Sequence, residues 1–252
     1  MKLEDDERLA RCCKVSWQGH TVVYATPNQT TQWRAETLFE KEPVTIEWIG
    51  RLGPADTLVD VGANVGMYAI WAAKVQRAHV WAFEPESQNY ALLNCNVVLN
   101  KVGDLVKAYC VALADHAGFS ELHLSTFTPG GSCHSLGERV NFKLEPMRPA
   151  YSQGCVAATL DELVQAGVLP QPTHIKVDVD GFEHKVIAGA RRTVRDSRLR
   201  SMLIEVNGNL AEHRALVREL NDAGFRHDPA QVSAAERKSG DFKGVAEYVF
   251  FR

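Results

Sequence analysis

The chain has 252 residues, a formal net charge of −3 and 45% hydrophobic residues, which is typical of a globular protein with one large or two small domains. Its longest uninterrupted apolar run, Met67 to Ala73, is far shorter than the roughly 20 residues that a membrane-spanning helix needs. The segment Met1–Lys14 is rich in charge and has no apolar signal core, which predicts a cytoplasmic protein. The acidic balance argues against a nucleic-acid-binding protein, and six cysteines without CxxC pairs argue against a disulfide scaffold.

Short β-rich runs alternate with helical patterns from Asp56 onward, which predicts an α/β fold with a parallel sheet covered by helices. The predicted strands are, in chain order, Thr57–Val61, Val80–Phe83, Val106–Leu113, His174–Val179, Met202–Val206 and Glu247–Phe251, with Phe119–Leu124 as a short hairpin arm. Helices are predicted after the first strand through Lys74, from Pro85 onward, around Val186–Ala190 and around Leu216–Leu220.

Two segments lie outside this alternation. Residues 1–55 form an N-terminal extension with predicted helices around Thr30–Phe39 and Val44–Leu52, and we expect it to cap the substrate site of a domain formed by residues 56–252. Residues 125–152 are rich in proline and glycine and have little periodicity. Because a loop of this length inside a compact domain usually has a function, we predict a substrate lid, with a mobile surface insertion as the alternative.

A glycine-rich turn follows the first predicted strand. The sequence from Leu58 to Gly66 is LVDVGANVG, and its glycines allow close backbone approaches that a Cβ would block. The helix after this turn is expected to point free N–H groups at a ligand. The second strand ends in Glu84, at the position where doubly wound sheets bind both hydroxyls of a ribose. This combination predicts a nucleoside ligand at the carboxyl edge of the sheet, and a plain turn with an incidental carboxylate is the alternative.

The spacing of these glycines distinguishes between nucleoside cofactors. A dinucleotide site needs the pattern G-x-G-x-x-G, whereas this turn reads GANVG and is preceded by Asp60. An acid beside the turn repels a pyrophosphate but suits the cationic aminoacyl group of S-adenosylmethionine. The residues therefore favour S-adenosylmethionine over NAD.

Seven segments carry a resemblance to a known family. They are VDVGANVGMYAI, FEPE, VALAD, GGSCHSL, TLDEL, IKVDVDGFEHKVIAGA and LIEVN, in this order between roughly Thr57 and Asn207. In these motifs the chain resembles the FkbM family of S-adenosylmethionine-dependent methyltransferases. The resemblance implies the class I methyltransferase fold, which is Rossmann-like and doubly wound, with a mainly parallel seven-stranded sheet and an antiparallel last strand. It also implies methyl transfer, usually to an oxygen of a sugar, polyketide or other secondary metabolite.

The same resemblance implies which residues bind the cofactor. Glu84 would bind the ribose, and the Val111–Ala112 backbone would flank the adenine, for which Asp115 is a weaker candidate. The methionine end would lie against the glycine turn and the end of the fourth strand. The residues expected there are Asp60, Gly62, Ala63, Asn64, Gly66 and Asp178.

Charged residues at the end of the fourth strand are candidates for the chemistry. Lys176, Asp178 and Asp180 share one face, and such charges on a central strand are costly unless they are paired or used. An alcohol acceptor needs its proton removed or its oxygen polarised. We therefore predict Asp178 as general base or metal ligand, with Lys176 orienting it and Glu205 beside it at the end of the fifth strand. A structural ion pair of Lys176 with Asp178 or Glu205 is the alternative.

A magnesium site is a second interpretation of these strand ends. Asp178, Glu205 and Asn207 are similar to the oxygen ligands of the magnesium-dependent catechol methyltransferases. The acid–x–Asn spacing departs from the contiguous acid–Asn pair of that family, and Gly181 offers a way to place Asp180 inward instead. The leading prediction is therefore a site without a metal, with Mg²⁺ as the alternative.

Two further positions offer alternatives. His134 is a candidate base, because an unperturbed histidine has a pKa near 6.5, and a solvated loop histidine is the other interpretation. Trp33 beside Arg34 is expected either to stack on a sugar and bind a carboxylate, or to pack on the sheet.

Together these features predict an O-methyltransferase whose acceptor is a small molecule that carries a hydroxyl, with neither nucleic acid nor membrane as partner. The alternatives are N-methylation, a nucleic-acid or protein methyltransferase, and a cofactor-binding partner protein without catalysis. The oligomeric state stays open, although an N-terminal extension of this kind often packs against a neighbouring subunit of a homo-oligomer.

Overall fold

The structure is a computed structural model that describes residues 11–252, so most of the charged segment Met1–Lys14 lies outside the described residues. The strands are β1 (Cys12–Trp17), β2 (His20–Ala25), β3 (Thr57–Val61), β4 (His79–Phe83), β5 (Val106–Tyr109), β6 (Ala112–Leu113), β7 (Gly118–Leu124), β8 (Ser135–Leu136), β9 (Tyr151–Ala158), β10 (His174–Val177), β11 (Ser201–Asn207) and β12 (Val245–Phe251). The helices are α1 (Gln29–Glu36), α2 (Pro43–Ile49), α3 (Met67–Val75), α4 (Ser87–Asn100), α5 (Leu160–Gln165), α6 (Glu183–Ala188), α7 (Arg191–Arg195), α8 (Ala211–Asp222) and α9 (Pro229–Ala235). Within the described range, none of these helices has the length and apolarity to cross a membrane.

The central sheet has the strand order β12-β11-β10-β3-β4-β5, in which only β12 runs antiparallel to its neighbour. This confirms the predicted mainly parallel sheet with an antiparallel last strand. The described residues contribute six strands to it rather than the expected seven. The chain between α8 and β12 instead forms α9, which starts at Pro229 with the Asp228 side chain as its cap, and only Arg226 forms an isolated bridge to the sheet.

Two apolar clusters cover the two faces of this sheet. Successive residues of β3 alternate between them, so Leu58 packs in the cluster of α3, α4 and the β1–β2 hairpin, and Val59 packs in the cluster of α6 and α8. Because the central strands are buried on both faces, they are apolar throughout rather than alternating. The charged exceptions, Asp60 and Lys176, are register partners on adjacent strands.

A second sheet, with the order β6-β9-β7-β8, is built from the segment that follows β5. The predicted strand Val106–Leu113 is therefore wrong as one element, because the chain leaves the central sheet after Tyr109 and pairs with β9 at Ala112. The predicted hairpin arm is β7, which pairs antiparallel with β9 along its whole length. Residues 125–152 connect these strands and contain β8.

The N-terminal extension contains α1 and α2 near their predicted positions, but it is not purely helical. The hairpin of β1 and β2 is missing from the sequence prediction, because in β2 the buried residues Val22 and Tyr24 alternate with apolar Val23 and Ala25 rather than with polar residues. Its turn is Gln18–Gly19, with φ values of 48° and 81°, the conformation that matches the twist of two-residue hairpins.

Asn100, the last residue of α4, ties this hairpin to the domain. Its side chain accepts a hydrogen bond from the Val23 N–H (2.9 Å) and donates to the carbonyls of Val23 (2.7 Å) and Asn96 (2.8 Å). Asn100 is 3% exposed. The hairpin is therefore attached through buried polar contacts as well as through its apolar face.

We expect Asn100→Ala to destabilise the protein. The substitution leaves buried backbone groups of Val23 without partners, at a cost of about 1–3 kcal/mol. For a chain of this size each kcal/mol lowers Tm by about 2–4 °C. Asn94→Ala on the same helix is the control, because Asn94 bonds only to the carbonyl one turn earlier. Equal melting temperatures of the two variants, measured by circular dichroism, would contradict this attachment.

Candidate functional site

The glycine turn after β3 packs closely against the end of β10 and against α4. Gly62 and Gly66 have φ values of +77° and +84°. A Cβ on Gly62 would lie 1.9 Å from the Asp178 carbonyl oxygen at the end of β10, and one on Gly66 would lie 2.4 Å from Leu93 of α4. Both positions therefore need glycine for close packing as well as for backbone conformation.

The N–H groups of this turn all have acceptors inside the protein, and the predicted free N–H groups of the following helix stay a prediction. Gly62 and Ala63 both donate to the Phe83 carbonyl (3.0 Å each), and the Asn64 N–H donates to the Glu84 carboxylate (2.7 Å). The next two N–H groups, those of residues 65 and 66, also have acceptors inside the turn. Since none of these donors is available to a phosphate, the turn suits a nucleoside cofactor without a pyrophosphate.

Glu84 lies directly after β4 and is 5% exposed. One of its oxygens accepts from the Asn64 N–H and the other from the Glu86 N–H (2.9 Å). Burial raises the pKa of Glu84 to about 7, although these two donors partly oppose the shift. Each oxygen keeps a lone pair for a further donor.

An open crevice with an empty volume of about 790 Å³ lies along the carboxyl edge of β3 and β4. Of the predicted cofactor residues, six line it: Gly62, Asn64, Glu84, Val111, Ala112 and Asp178. Its other lining residues include the apolar side chains of Phe83, Leu113, Leu122, Leu136 and Phe182. A carboxylate on one wall and apolar side chains elsewhere match the ribose and the base of a nucleoside, so the described residues fit S-adenosylmethionine.

Four predicted cofactor residues do not line this crevice. Asp60 is 1% exposed inside the sheet, 3.8 Å from the Lys176 ammonium, and its oxygens have no hydrogen-bond partner among the described residues. Asp115 points to the surface and bonds to the His116 ring (2.7 Å). Its neighbours Ala114 and His116 line the crevice in its place. Ala63 lines a small neighbouring cavity, and Gly66 packs against α4.

Lys176 and Asp178 form the structural ion pair that the sequence left as an alternative. The Lys176 side chain is 2% exposed, and its Nζ lies 3.1 Å from Asp178 and 3.8 Å from Asp60. Although burial opposes the charges, the ion pair keeps the pKa of Asp178 below and that of Lys176 above its ordinary value. Asp178 also lines the crevice, so the pair holds a carboxylate at its wall. Glu205 does not pair with Lys176, because Arg237 binds it (2.7 Å).

The acidic cluster at the strand ends consists of Asp178, Asp180 and Glu205, whose carboxylate oxygens lie within 4.8 Å of one another. Asn207 lies outside this cluster of acids, and its side chain accepts from the Asn209 N–H (3.1 Å). The expected ligand set of Asp178, Glu205 and Asn207 stays a prediction. Asp178 pairs with Lys176 and Glu205 with Arg237, whereas Asp180 accepts from the Cys133 N–H.

Asp180 turns inward because the loop after β10 is tightly braced. Glu183 accepts from the N–H groups of Val179 (2.8 Å) and Gly181 (3.1 Å). His213 accepts from the Asn207 N–H at Nδ1 (3.0 Å), so its Nε2–H donates to the Gly181 carbonyl (3.0 Å). The φ value of 54° at Asp180 is thus imposed by contacts with α6 and α8.

His134 lines the crevice but is poorly placed to act as a base. Its Nδ1 accepts from the Ser125 N–H (3.3 Å), so Nε2 carries the proton, and this buried atom has no partner among the described residues. Burial lowers the pKa of His134 to about 4, which keeps the ring neutral. His134 is therefore better suited to donate a hydrogen bond to a ligand than to remove a proton.

Asn89, which the sequence analysis missed, holds Gly130 and Gly131 of residues 125–152 together with Asn64 and Arg34, which it named. Asn89 of α4 accepts from the Gly130 N–H (2.7 Å) and donates to the Gly131 carbonyl (3.0 Å), which also accepts from the Asn64 side chain (2.7 Å). Arg34 of α1 donates to the Gly130 carbonyl (2.7 Å). Asn89 follows the acidic FEPE motif on the first turn of α4, and that position is the one signal in the sequence that could have identified it.

Comparisons with known proteins agree with this geometry. The family model "Methyltransferase FkbM domain" matches residues 60–227, about two thirds of the chain. Over 192 residues the chain is 22% identical to the hexuronic acid methyltransferase AglP of Haloferax volcanii, covering 76% of this chain and 73% of the relative. Over 195 residues it is 28% identical to the 31-O-demethyl-FK506 methyltransferase FkbM of Streptomyces tacrolimicus, covering 66% and 72%.

Among solved structures, the fold is similar to that of the methyltransferase FkbM from Methylobacillus flagellatus KT. The TM-score is 0.51 at 15% sequence identity. The match covers 80% of this chain and 44% of that chain, so the protein spans less than half of the solved structure. The similarity supports the class I methyltransferase fold.

We expect Gly62→Ala to be far more destabilising than Gly19→Ala. Both glycines have φ near +80°, where an alanine costs about 1–2 kcal/mol. A Cβ on Gly19 meets no atom within 4 Å, whereas one on Gly62 collides with the Asp178 carbonyl. The measurement is the melting temperature of each variant, and similar shifts would show that the close approach of β3 and β10 is unimportant.

Proposed function

The chain belongs to the FkbM family of methyltransferases, and within that family we propose that it transfers a methyl group from S-adenosylmethionine to a hydroxyl oxygen of a small molecule. The crevice beside Glu84 is the observation that carries the cofactor assignment. Support for the acceptor class comes from the relatives, one named as a hexuronic acid methyltransferase and one as a methyltransferase for the 31-O position of demethyl-FK506.

In this proposal, Glu84 binds the ribose. Its two oxygens each have one backbone donor, so the remaining lone pairs are free to accept from two neighbouring hydroxyls. Val111 and Ala112 flank the base, and His134 offers its free Nε2–H to the bound nucleoside. Gly62 and Asn64 lie at the methionine end. S-adenosylmethionine supplies an electrophilic methyl group on a sulfonium.

On the acceptor side, Asp178 orients the reacting hydroxyl by accepting its hydrogen bond. Lys176 acts through Asp178 as a positioning residue, and buried Asp60 holds Lys176 from the other side. A carboxylate with a lowered pKa is a weak base. Burial and the charge of Asp178 raise the pKa of Asp180, so Asp180 is the better proton acceptor of the two. Glu205, which is bound to Arg237, contributes to the electrostatic potential at the acidic cluster.

Glu84→Gln should weaken the binding of S-adenosylhomocysteine by more than tenfold. The variant loses charge-assisted hydrogen bonds, which are worth about 1.5–3 kcal/mol. Isothermal titration calorimetry measures the effect, and Glu40→Gln is the control, because Glu40 is exposed. An unchanged affinity of the Glu84 variant would refute the ribose assignment.

The same assignment predicts how cofactor affinity depends on pH. Because the pKa of Glu84 is about 7 in the free protein, the carboxylate becomes protonated below that pH and can no longer accept from both hydroxyls. The Kd of S-adenosylhomocysteine should then rise by up to about tenfold per pH unit below pH 7. Titrations between pH 8 and pH 6 test this, and Glu84→Gln should show a flat profile over the same range.

Asp178→Asn tests the catalytic assignment. The asparagine keeps the shape of the side chain but accepts the hydroxyl proton less well, so we expect kcat to fall by about 10²-fold or more with little change in S-adenosylhomocysteine affinity. The assay incubates the protein with methyl-labelled S-adenosylmethionine and hydroxyl-bearing sugars and macrolides. The control is Asp104→Asn, on an exposed turn. Methylated amines in place of methyl ethers would contradict the proposed reaction, and unchanged turnover would remove Asp178 from it.

A further inference from the structure

A second cavity adjoins the crevice at Asp178 and is open to solvent, with a volume of about 800 Å³ that includes part of the solvent at its mouth. The two spaces share the wall formed by Gly62, Asn64, Ser132, Asp178 and Asp180. The rest of the cavity comes from four segments, namely α1, the chain just after it, β11 and the loop before β12. An acceptor in this cavity would therefore reach the methyl donor across Asp178.

Three cations line this second cavity, and two of them are already paired. Arg237 binds Glu205 (2.7 Å) and Glu247 (2.9 Å). Lys41 binds its neighbour Glu42. Arg34 has no carboxylate within 4 Å anywhere in residues 11–252, and its one hydrogen bond there uses Nε, which donates to the Gly130 carbonyl. The two terminal amino groups of its guanidinium are therefore available to a ligand.

Trp33 lines the same cavity and lies next to Arg34 on α1. Its side chain is 48% exposed, which is unusual for a residue of this size. An indole provides a flat apolar face for the C–H surface of a sugar ring, and a guanidinium binds carboxylate or phosphate in a bidentate manner. The two side chains together offer a ring-stacking surface beside an anion-binding group.

The charges of the cavity also set the orientation of an acceptor. Asp178 and Asp180 lie at the wall shared with the crevice, Glu205 lies beside them in the cavity, and Arg34 lies on a different segment. A carboxylate placed at the acidic wall would be repelled by like charges, whereas a hydroxyl there can donate its proton to an acid. The anionic group of an acceptor therefore belongs at Arg34 and its hydroxyl at Asp178.

From this arrangement we infer that the acceptor is an anionic sugar-like compound, whose carboxylate or phosphate binds Arg34 while a remote hydroxyl is methylated. The inference rests on the proposed function. In the reaction, the bond between the hydroxyl oxygen and the methyl carbon forms as the carbon–sulfur bond breaks. The electron pair of that bond goes to sulfur, which becomes a neutral thioether. The hydroxyl proton goes to the carboxylate of Asp178, which accepts its hydrogen bond, and Asp180, the stronger base of the two, takes it up from there. The product is a methyl ether that keeps its anionic group.

The test uses three probes that share a hydroxylated six-membered ring: D-glucuronate, D-glucose 6-phosphate and D-glucose. Each is titrated by calorimetry into the full chain saturated with S-adenosylhomocysteine. We expect at least one anionic probe to bind tenfold or more tightly than glucose, and the comparison of the first two distinguishes carboxylate from phosphate. Arg34→Gln should abolish this preference, Arg34→Lys should retain part of it, and Arg198→Gln, an exposed control, should leave it unchanged.

Several outcomes would overturn the inference while leaving the proposed function intact. They are equal binding of the three probes, binding of none of them, and an unchanged anionic preference in Arg34→Gln. If Arg34→Gln weakens all probes equally, the arginine only holds residues 125–152 in place, and the inference also fails. Absence of S-adenosylhomocysteine binding, measured first on the same sample, would instead refute the proposed function.

A product assay checks the orientation. Methyl-labelled S-adenosylmethionine is incubated with the anionic probe that binds best, and the product is treated with mild alkali. A methyl ether survives this treatment and a methyl ester of a carboxylate does not. For the phosphate probe, whose methyl ester also resists mild alkali, ¹³C and ³¹P NMR spectra locate the methyl group, and the inference requires an ether for either probe. A methyl ester of the carboxylate or phosphate, or no methylated product from a probe that binds, would overturn it.

Discussion

The site depends on the close approach between the turn after β3 and the end of β10. At Gly62 the two backbones are so near that any Cβ would overlap the Asp178 carbonyl oxygen. This contact places the Asp178 side chain between two spaces, the crevice that contains Glu84 and the cavity that contains Arg34. A methyl donor and an acceptor can therefore meet across one carboxylate, and the alignment of two reactants can contribute about 7–11 kcal/mol to a displacement that needs no covalent help from the enzyme.

Oppositely charged neighbours stabilise the buried acidic residues beside this contact inside an otherwise apolar sheet. Lys176 lies between Asp60 and Asp178, and Arg237 neutralises Glu205. Breaking a buried ion pair by removing one partner typically costs about 3–5 kcal/mol, so these residues constrain one another. Arg34 lies outside these pairs, and its one hydrogen bond in residues 11–252 goes to the Gly130 carbonyl.

The sequence predicted the strands of the central sheet because fully buried parallel strands are short apolar runs bounded by turns. The prediction of a nucleoside site from Leu58 to Gly66 and Glu84 also rests on a local property, since it uses spacing along one strand–turn–helix unit. Errors occurred where distant segments decide the conformation. Asp180 joins Asp178 and Glu205 in the acidic cluster, which α6 and α8 determine by bracing the loop after β10. Asp115 faces solvent because β6 leaves the central sheet.

The amino-acid sequence by itself determined the family, the alternation of strands and helices, and the choice of a cofactor without a pyrophosphate. These properties follow from local periodicity, glycine spacing and one acid at a strand end. Tertiary structure decided which charges pair, that the N–H groups of the turn are used internally, and that α1 meets residues 125–152 to build a second cavity. Such contacts join residues tens of positions apart, and their geometry depends on packing that no local pattern encodes.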